Sequence, residues 1–261
     1  MSVSVRSAGP ALRVEDHGPV RLLTMANPGR RNALDGALLA RLREELERAG
    51  TSGARCLVLR GEGERAFSAG YDIEKLGPGT TADAQVEETM TALERCGPPV
   101  IAFVNGAAFG AGCELACACD LRVASEGAQL CVPPARLGIV YGARGIARVA
   151  GLVGPSRARQ MFFTGAPVSA QVAMEWGLLD RVLPAGEAFA DALALARGIA
   201  DNAPLAVQGM KRIFARLTRP ALTEDEEAEF AKLSRQAFDS EDAKEGRAAF
   251  LEKRPPRFLG R

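Results

Sequence analysis

The stretch Asn105-Gly106-Ala107-Ala108-Phe109-Gly110-Ala111-Gly112-Cys113-Glu114 decides how this chain folds. It follows the apolar run 100–104, which is typical of a buried strand, and its small residues at 110–112 are typical of a helix start. Small residues at such a junction let backbone N–H groups approach a ligand closely. Because the N–H groups of a first helical turn face anions, this strand-to-helix turn is a candidate site for negative charge.

A second stretch of the same kind lies earlier in the chain: Phe67-Ser68-Ala69-Gly70-Tyr71-Asp72-Ile73. If its Tyr71 N–H and the Ala111 N–H point to one place, the pair forms an oxyanion hole, in which two backbone donors stabilise negative charge on a carbonyl oxygen. A thioester carbonyl suits such a site, because polarising it stabilises an enolate at the neighbouring carbon. The alternative is a pair of tight turns with no ligand.

Composition limits the other possibilities. The chain has 261 residues, 47% of them hydrophobic, with 33 basic and 32 acidic residues and a formal net charge of +1. Because charges of both signs are interspersed, we expect neither nucleic acid nor a membrane surface as a partner. With no N-terminal signal pattern and no run near the roughly 20 apolar residues of a membrane span, we expect a cytoplasmic protein.

Cysteine and histidine usage argues against two kinds of site. Of six cysteines, Cys113 and Cys117 stand one helical turn apart and Cys119 follows closely, but the only histidine, His17, is distant in sequence. The alanines between these cysteines favour small buried residues on a packed helix, so we expect no metal site. With a single histidine in a polar turn, catalysis by a histidine base is not expected either.

Hydrophobic periodicity predicts an α/β fold followed by helices. Strand-like runs at 20–25, 56–59, 100–104 and 121–124 alternate with helical stretches at 36–49 and 82–95. After about residue 143 the pattern is almost entirely helical, and glycine and proline separate the segments 146–152, 157–163, 170–176, 188–200, 205–217 and 225–238. We expect the first nine residues to be mobile and residues 77–81 to form a flexible loop.

Several motifs together resemble the crotonase superfamily, also called the enoyl-CoA hydratase/isomerase family, over nearly the whole chain. The similar segments, in order, are NPGRRNAL at 27–34, FSAGYDI at 67–73, NGAAFGAGCEL at 105–115 with CDLRVA at 119–124, ARLG at 135–138, and 245–256, which includes AFLEKR at 249–254. The resemblance implies a crotonase-like core of repeated ββα units at 10–195 and a C-terminal helical trimerisation subdomain at 196–261.

The same resemblance implies acyl-CoA substrates, with coenzyme A entering as part of the thioester and no permanently bound cofactor. It also implies a homotrimer or a dimer of trimers. Apolar residues at helical spacing within 205–217 and 230–250 fit an interface in this region. By matching position, Tyr71 and Ala111 would supply the oxyanion N–H groups. Many family members carry glycine where Ala111 stands, and alanine keeps the same backbone donor.

Coenzyme A would lie along the loops that carry Arg30, Ser68, Ala69 and Asp72. Carry-over from the family assigns Ala69 backbone contacts to the adenine and puts Arg30 near the phosphates, while Lys253 reaches the nucleotide from a neighbouring subunit. We expect Asp72 to support the loop turn or to cap the following helix. For Arg30 and Lys253 the alternative is a solvated surface charge, because single basic residues are weak signals.

The acidic residues decide which reaction is favoured. Hydratases of this family use two glutamates; Glu114 matches the first, but Pro134 occupies the position of the second and cannot exchange a side-chain proton. Two-carboxylate hydration is therefore not favoured. Tyr141, in a chain that lacks the second glutamate, resembles the methylmalonyl-CoA decarboxylase branch.

Decarboxylation of a malonyl-type thioester needs little acid–base machinery, because loss of CO2 itself generates the enolate. The Tyr141 hydroxyl could hold the substrate carboxylate out of the thioester plane, and Tyr141, water or Glu114 could protonate the α-carbon. Alternatives are an enoyl-CoA hydratase or isomerase with Glu114 as the single acid/base, and a non-catalytic acyl-CoA-binding pseudoenzyme. For each residue there is a purely structural alternative: Tyr141 as an aromatic residue of the core, and Glu114 as a carboxylate that stabilises the start of its helix.

Overall fold

The computed structural model describes residues 11–75, 82–218 and 222–260, which form a mixed α/β fold. The strands are β1 Ala11–His17, β2 Val20–Ala26, β3 Cys56–Gly61, β4 Ala66–Ser68, β5 Val100–Val104, β6 Ala107–Phe109, β7 Leu121–Ser125, β8 Gln129–Cys131, β9 Val168–Ser169 and β10 Arg181–Leu183. The helices are α1 Gly36–Ala49, α2 Ala82–Arg95, α3 Ala111–Ala118, α4 Ala143–Thr164, α5 Ala170–Glu175, α6 Ala185–Ala200, α7 Pro204–Leu217, α8 Glu224–Asp239 and α9 Glu241–Glu252.

The larger sheet has the strand order β1-β2-β3-β5-β7-β10 and is parallel except for the β1–β2 hairpin. All five residues of β5 are buried, as the continuous apolar run predicted. Helix α6 covers one face of this sheet with a row of alanines, and α1 and α2 pack on the other side of the core. The predicted strands in this sheet are thus confirmed.

A smaller sheet, ordered β4-β6-β8-β9, brings the two glycine-rich stretches together. Its strands β4 and β6 run parallel, with Ala66 opposite Ala107 and Ser68 opposite Ala108. Because parallel strands end at the same edge of a sheet, Tyr71 and Ala111 follow their strands on one side of the molecule. The sequence did not predict these strands, since segments of two or three residues are too short to show a period.

The helices after residue 143 follow the prediction. The two segments expected at 146–152 and 157–163 lie on either side of a break within α4, where Gly154 has non-helical backbone angles (φ +76°) just before Pro155. The expected division between residues 195 and 196 falls inside α6, and the helical subdomain at 196–261 stays a prediction. The first nine residues, expected to be mobile, and the loop expected at 77–81 lie outside the described residues.

Helix α3 carries the clustered cysteines as packed residues. Cys113, Cys117 and Cys119 are buried free thiols, as the interpretation of a packed helix predicted. Burial raises the pKa of the Cys119 thiol, which keeps it protonated. Among the described residues, no helix is both long and apolar enough to cross a bilayer.

The last helix is held tightly against the turn that precedes α4. A methyl group added at Gly246 of α9 would lie 2.4 Å from the carbonyl oxygen of Leu137, and one added at Gly138 would lie 2.5 Å from that of Asp242. Two backbones therefore touch with no side chain between them. This contact fixes the turn at 134–137 and the segment that follows it toward Tyr141.

Gly246→Ala tests this contact. The added methyl group has no room, so we expect a loss of about 1–3 kcal/mol in the free energy of unfolding, measured by urea denaturation. The matched control is Gly198→Ala in α6, an exposed helical glycine with open space around it. That change should stabilise the protein by roughly 0.5–1 kcal/mol. Equal effects of the two substitutions would contradict the packing described here.

Candidate active site

The site begins where the loop after β4 meets the N-terminus of α3. Gly70 has a φ of +93°, and a methyl group added there would lie 2.6 Å from the Phe109 carbonyl oxygen and 3.4 Å from the Ala111 backbone nitrogen. A methyl group on Gly112 would lie 2.6 Å from the Ser68 carbonyl oxygen. The two segments thus approach each other backbone to backbone, which only glycine permits at these positions.

Tyr71 forms a parallel β-bridge with Leu34, but the Tyr71 N–H takes no part in the hydrogen bonds of this bridge. The two hydrogen bonds of this parallel bridge run from the Leu34 N–H to the Gly70 oxygen and from the Asp72 N–H to the Leu34 oxygen, each 2.8 Å long. Ala111 is the first residue of α3, so its N–H has no acceptor within the helix. The structure therefore brings together the two residues whose N–H groups were predicted to cooperate.

Glu114 and Tyr141 face each other beside these backbone groups. Glu114 sits in the first turn of α3 with 3% of its surface exposed. Gly145 of α4 packs against both side chains: a methyl group there would lie 2.7 Å from Tyr141 Cε1 and 2.8 Å from Glu114 Oε1. The buried Tyr141 hydroxyl lies beside Glu114, but no described residue meets both the distance and the angle of a hydrogen bond to it. Pro134, also buried, contributes no acid.

Arg148 of α4 joins the site, and the sequence interpretation missed it. Its Nη1 donates to Glu114 Oε1 at 2.7 Å and to Glu87 Oε2 at 2.8 Å, while Nε donates to Glu94 Oε1 at 2.7 Å. Glu87 and Glu94 stand two turns apart on α2, either side of buried Met90. The sequence signal for this cluster was the pair of acidic residues seven positions apart on α2, which lie on the same side of the helix as a buried residue.

These contacts determine the charge state of the site. Burial raises the pKa of Glu114 and outweighs the opposing effects of Arg148 and Tyr141, and the Glu87 charge raises it further. Burial also raises the pKa of Tyr141, with the Glu114 carboxylate adding to that effect. Glu87 behaves differently: burial favours its neutral form, but Arg148 outweighs burial and lowers its pKa. Glu114 is therefore the carboxyl that can carry a proton most readily.

The predicted phosphate contact Arg30 is engaged with acidic neighbours. Its Nη1 donates to Asp72 Oδ2 at 2.9 Å and its Nη2 to Glu74 Oε2 at 2.7 Å. Asp72 also accepts a hydrogen bond from the Glu74 N–H, so it supports the short turn Ile73–Lys75 as predicted. A phosphate at Arg30 would have to compete with two carboxylates.

The other residues expected to contact coenzyme A differ in their exposure: Ser68 is buried, whereas Ala69 and Lys253 are exposed. Ser68 is fully buried, and its Oγ accepts from the Gly70 N–H, so its side chain supports the loop. Ala69 is exposed and its N–H donates to the Arg31 oxygen, which leaves its carbonyl as the backbone group for a ligand. Lys253 is exposed and caps the C-terminus of α9 with φ +56°.

A family model described as "Enoyl-CoA hydratase/isomerase" matches residues 15–261. The chain is 39% identical to the 2,3-dehydroadipyl-CoA hydratase of Escherichia coli (strain K12), over 93% of this chain and 96% of that one. It is 34% identical to the carnitinyl-CoA dehydratase of Salmonella typhi, over 96% of this chain and 99% of that one.

Solved structures agree with these relatives. The crystal structure of methylmalonyl CoA decarboxylase complexed with 2S-carboxypropyl CoA superposes with a TM-score of 0.90 at 28% identity, over 96% of this chain and 98% of that one. An enoyl-CoA hydratase/isomerase from Pseudoalteromonas atlantica T6c gives a TM-score of 0.84 at 29% identity, over 95% and 99%. The molecule is a crotonase-fold enzyme acting on acyl-CoA. The chain belongs to the enoyl-CoA hydratase/isomerase family.

Gly145→Ala tests the contact between the two candidate catalytic side chains. Its methyl group would overlap both, so we expect acyl-CoA turnover to fall at least about 10-fold, roughly 1.4 kcal/mol in the barrier. Thermal unfolding should report whether the fold is kept. Gly151→Ala, in the same helix with open space around it, is the control and should leave turnover intact. Full activity in the Gly145 variant would refute the arrangement.

Proposed function

We propose that the protein decarboxylates a malonyl-type CoA thioester, with a methylmalonyl-like acyl group as the leading substrate. The observation that carries this proposal is the buried Tyr141 hydroxyl beside Glu114, in a site where Pro134 stands in place of a second acid. A second carboxylate would repel the substrate carboxylate. The similarity to a decarboxylase structure with a carboxypropyl CoA ligand supports the same reaction.

In the proposed reaction the thioester oxygen accepts hydrogen bonds from the N–H groups of Tyr71 and Ala111. The bond between the α-carbon and the carboxylate breaks, CO2 leaves, and the electron pair moves into the enolate, whose negative oxygen these donors stabilise. One such donor contributes roughly 3–4 kcal/mol in comparable sites. A proton then adds to the α-carbon and the saturated acyl-CoA is released.

Tyr141 would hold the substrate carboxylate, because its hydroxyl is shielded from water and no described residue forms a well-aligned hydrogen bond with it. A hydroxyl that stays protonated donates to a carboxylate, and the raised pKa of Tyr141 keeps it protonated. Glu114, whose pKa is also raised, would then deliver the proton to the α-carbon.

A second candidate is an enoyl-CoA hydratase or isomerase that uses Glu114 alone. The raised pKa of Glu114 favours it, because a carboxyl poised nearer to neutral pH can both accept and donate a proton. The relatives named as a hydratase and a dehydratase favour it as well. Glu114 would serve both reactions, so Tyr141 discriminates between them.

The coenzyme A carrier would follow the loops of Arg30, Ser68, Ala69 and Asp72, with Lys253 contributed by a neighbouring copy. Assembly as a homotrimer or a dimer of trimers would bury the outer face of α7, where Leu205 is 86% and Phe214 is 65% exposed. On the inner face, buried Lys211 ties α7 to the core through Asp120 at 2.7 Å. A cytoplasmic location remains our expectation from the sequence.

A parallel assay tests the reaction. Purified protein receives methylmalonyl-CoA, malonyl-CoA and crotonyl-CoA, and mass spectrometry follows CO2 loss, water addition and double-bond migration. We expect CO2 loss that falls at least about 100-fold in Tyr141→Phe, roughly 2.7 kcal/mol of transition-state stabilisation.

The contrary result is equally informative. Turnover of crotonyl-CoA alone, lost in Glu114→Gln but unchanged in Tyr141→Phe, would refute decarboxylation and favour the single-glutamate hydratase or isomerase. Absence of turnover with retained binding of coenzyme A thioesters would favour a pseudoenzyme.

Sedimentation tests the assembly. The wild-type protein should sediment at three or six times its 27.5 kDa chain mass at micromolar concentration. A charge in the exposed face, Ile213→Glu, should shift the mass toward the monomer, because an unpaired carboxylate would be buried at the interface. Val14→Glu, at an exposed apolar position of β1, is the control and should assemble normally. A monomeric wild-type protein would refute the proposed assembly.

A further inference from the structure

Arg148 is the centre of a buried ionic cluster that includes the candidate catalytic carboxylate. Only 9% of its side chain is exposed, and three glutamates from two other helices contact it. Glu87 binds it through both oxygens, Oε2 to Nη1 and Oε1 to Nη2, each at 2.8 Å. Such a fork fixes the plane of the guanidinium group.

The charges in this cluster do not balance. One guanidinium faces the carboxyl groups of Glu87, Glu94 and Glu114, and the next cation, Arg144, reaches Glu87 from 3.6 Å while also binding Glu227 of α8. Tyr141 also faces Glu114, and it brings no positive charge. Negative charges outnumber positive ones in this partly buried cluster, and Glu114 is its most deeply buried carboxyl, so Glu114 gains most by taking up a proton.

The shape of the contacts selects Glu114 for that role. Glu87 accepts two hydrogen bonds from Arg148, and Glu94 accepts the one that Arg148 Nε donates. Glu114 accepts a hydrogen bond from Arg148 through Oε1 alone, and the donor, Nη1, also binds Glu87. Its other oxygen, Oε2, accepts no hydrogen bond from Arg148. One oxygen is thereby anchored while the other is left for the substrate.

We propose that Arg148 is a positioning residue for Glu114 and that Glu87 and Glu94, by occupying the rest of its guanidinium group, keep Glu114 able to carry a proton. This inference rests on the proposed catalytic role of Glu114, but it concerns the protonation of that side chain rather than any one reaction. The same poised carboxyl serves proton delivery after decarboxylation and proton shuttling in a hydratase or isomerase. Arg148, Glu87 and Glu94 need not touch the substrate.

The direct test measures the protonation of Glu114 without substrate. Protein labelled with 13C at glutamate side-chain carboxyls is titrated by NMR, and Glu114→Gln assigns the Glu114 signal. In Glu87→Gln a neighbouring negative charge is lost, so the Glu114 pKa should fall by on the order of one unit. In Arg148→Gln the stabilising cation is lost, so the pKa should rise, and Arg148→Lys should recover part of the change.

Glu88→Gln is the matched control. Glu88 neighbours Glu87 on α2 but is exposed and faces Arg43 at 3.6 Å, so the Glu114 titration should not move. Glu94→Gln is the second variant if Glu87→Gln does not fold, and it should shift the Glu114 pKa in the same downward direction. A Glu114 pKa that stays constant in the Glu87, Glu94 and Arg148 variants would overturn the proposal.

Kinetics separates this proposal from the proposed reaction. With whichever substrate turns over, the limb of the pH profile that depends on Glu114 should shift to lower pH in Glu87→Gln, because both its acid and its base roles follow the same pKa. Arg148→Lys should lower kcat about 10-fold while KM changes less than about twofold, since binding contacts are kept. A shifted NMR titration without decarboxylation would leave Arg148 as a positioning residue and refute only the reaction.

Discussion

The close approach of two backbones at Gly70 and Gly112 is the constraint on which the site depends. The parallel pair β4–β6 sets the distance, and the absence of a side chain at each glycine lets the loop after β4 lie against the start of α3. A methyl group at either position would meet a carbonyl oxygen at 2.6 Å. Without that approach Tyr71 and Ala111 would not lie in one region, and the proposed pair of backbone donors could not form.

The buried cluster around Arg148 depends on the same helix start. Because α3 begins at Ala111, Glu114 projects from its first turn toward α2 and α4. There it contacts the guanidinium group of Arg148, which also binds Glu87 and Glu94. A helix N-terminus and a cation both favour the ionised carboxylate, yet burial and the Glu87 charge dominate and raise its pKa. The first turn of α3 thus holds both the Ala111 N–H and the Glu114 carboxyl, the two groups of this helix that the proposed reaction uses.

Much of this could be predicted from the sequence, and the misses have physical causes. Long apolar runs such as 100–104 report burial directly, and the two glycine-rich junctions do lie side by side, while the oxyanion roles of Tyr71 and Ala111 stay a prediction. The short strand β6 was missed, and so was β1, whose residues are largely exposed and show no alternation. Arg148 was missed because a charged residue on a helix is normally solvated, and only three-dimensional packing brings it to acids more than thirty positions away.

The segment from Pro134 to Tyr141 carries the features that separate one reaction from another in this site. In the proposed reaction its proline replaces a second acid and its tyrosine hydroxyl binds the substrate carboxylate. This segment is not free to move, because Gly138 and Gly246 bring it into backbone contact with α9. The helix that clamps it belongs to the C-terminal region through which we expect the chains to assemble. Assembly and reaction specificity would therefore share one structural support, since whatever shifts α9 shifts the segment that leads to Tyr141.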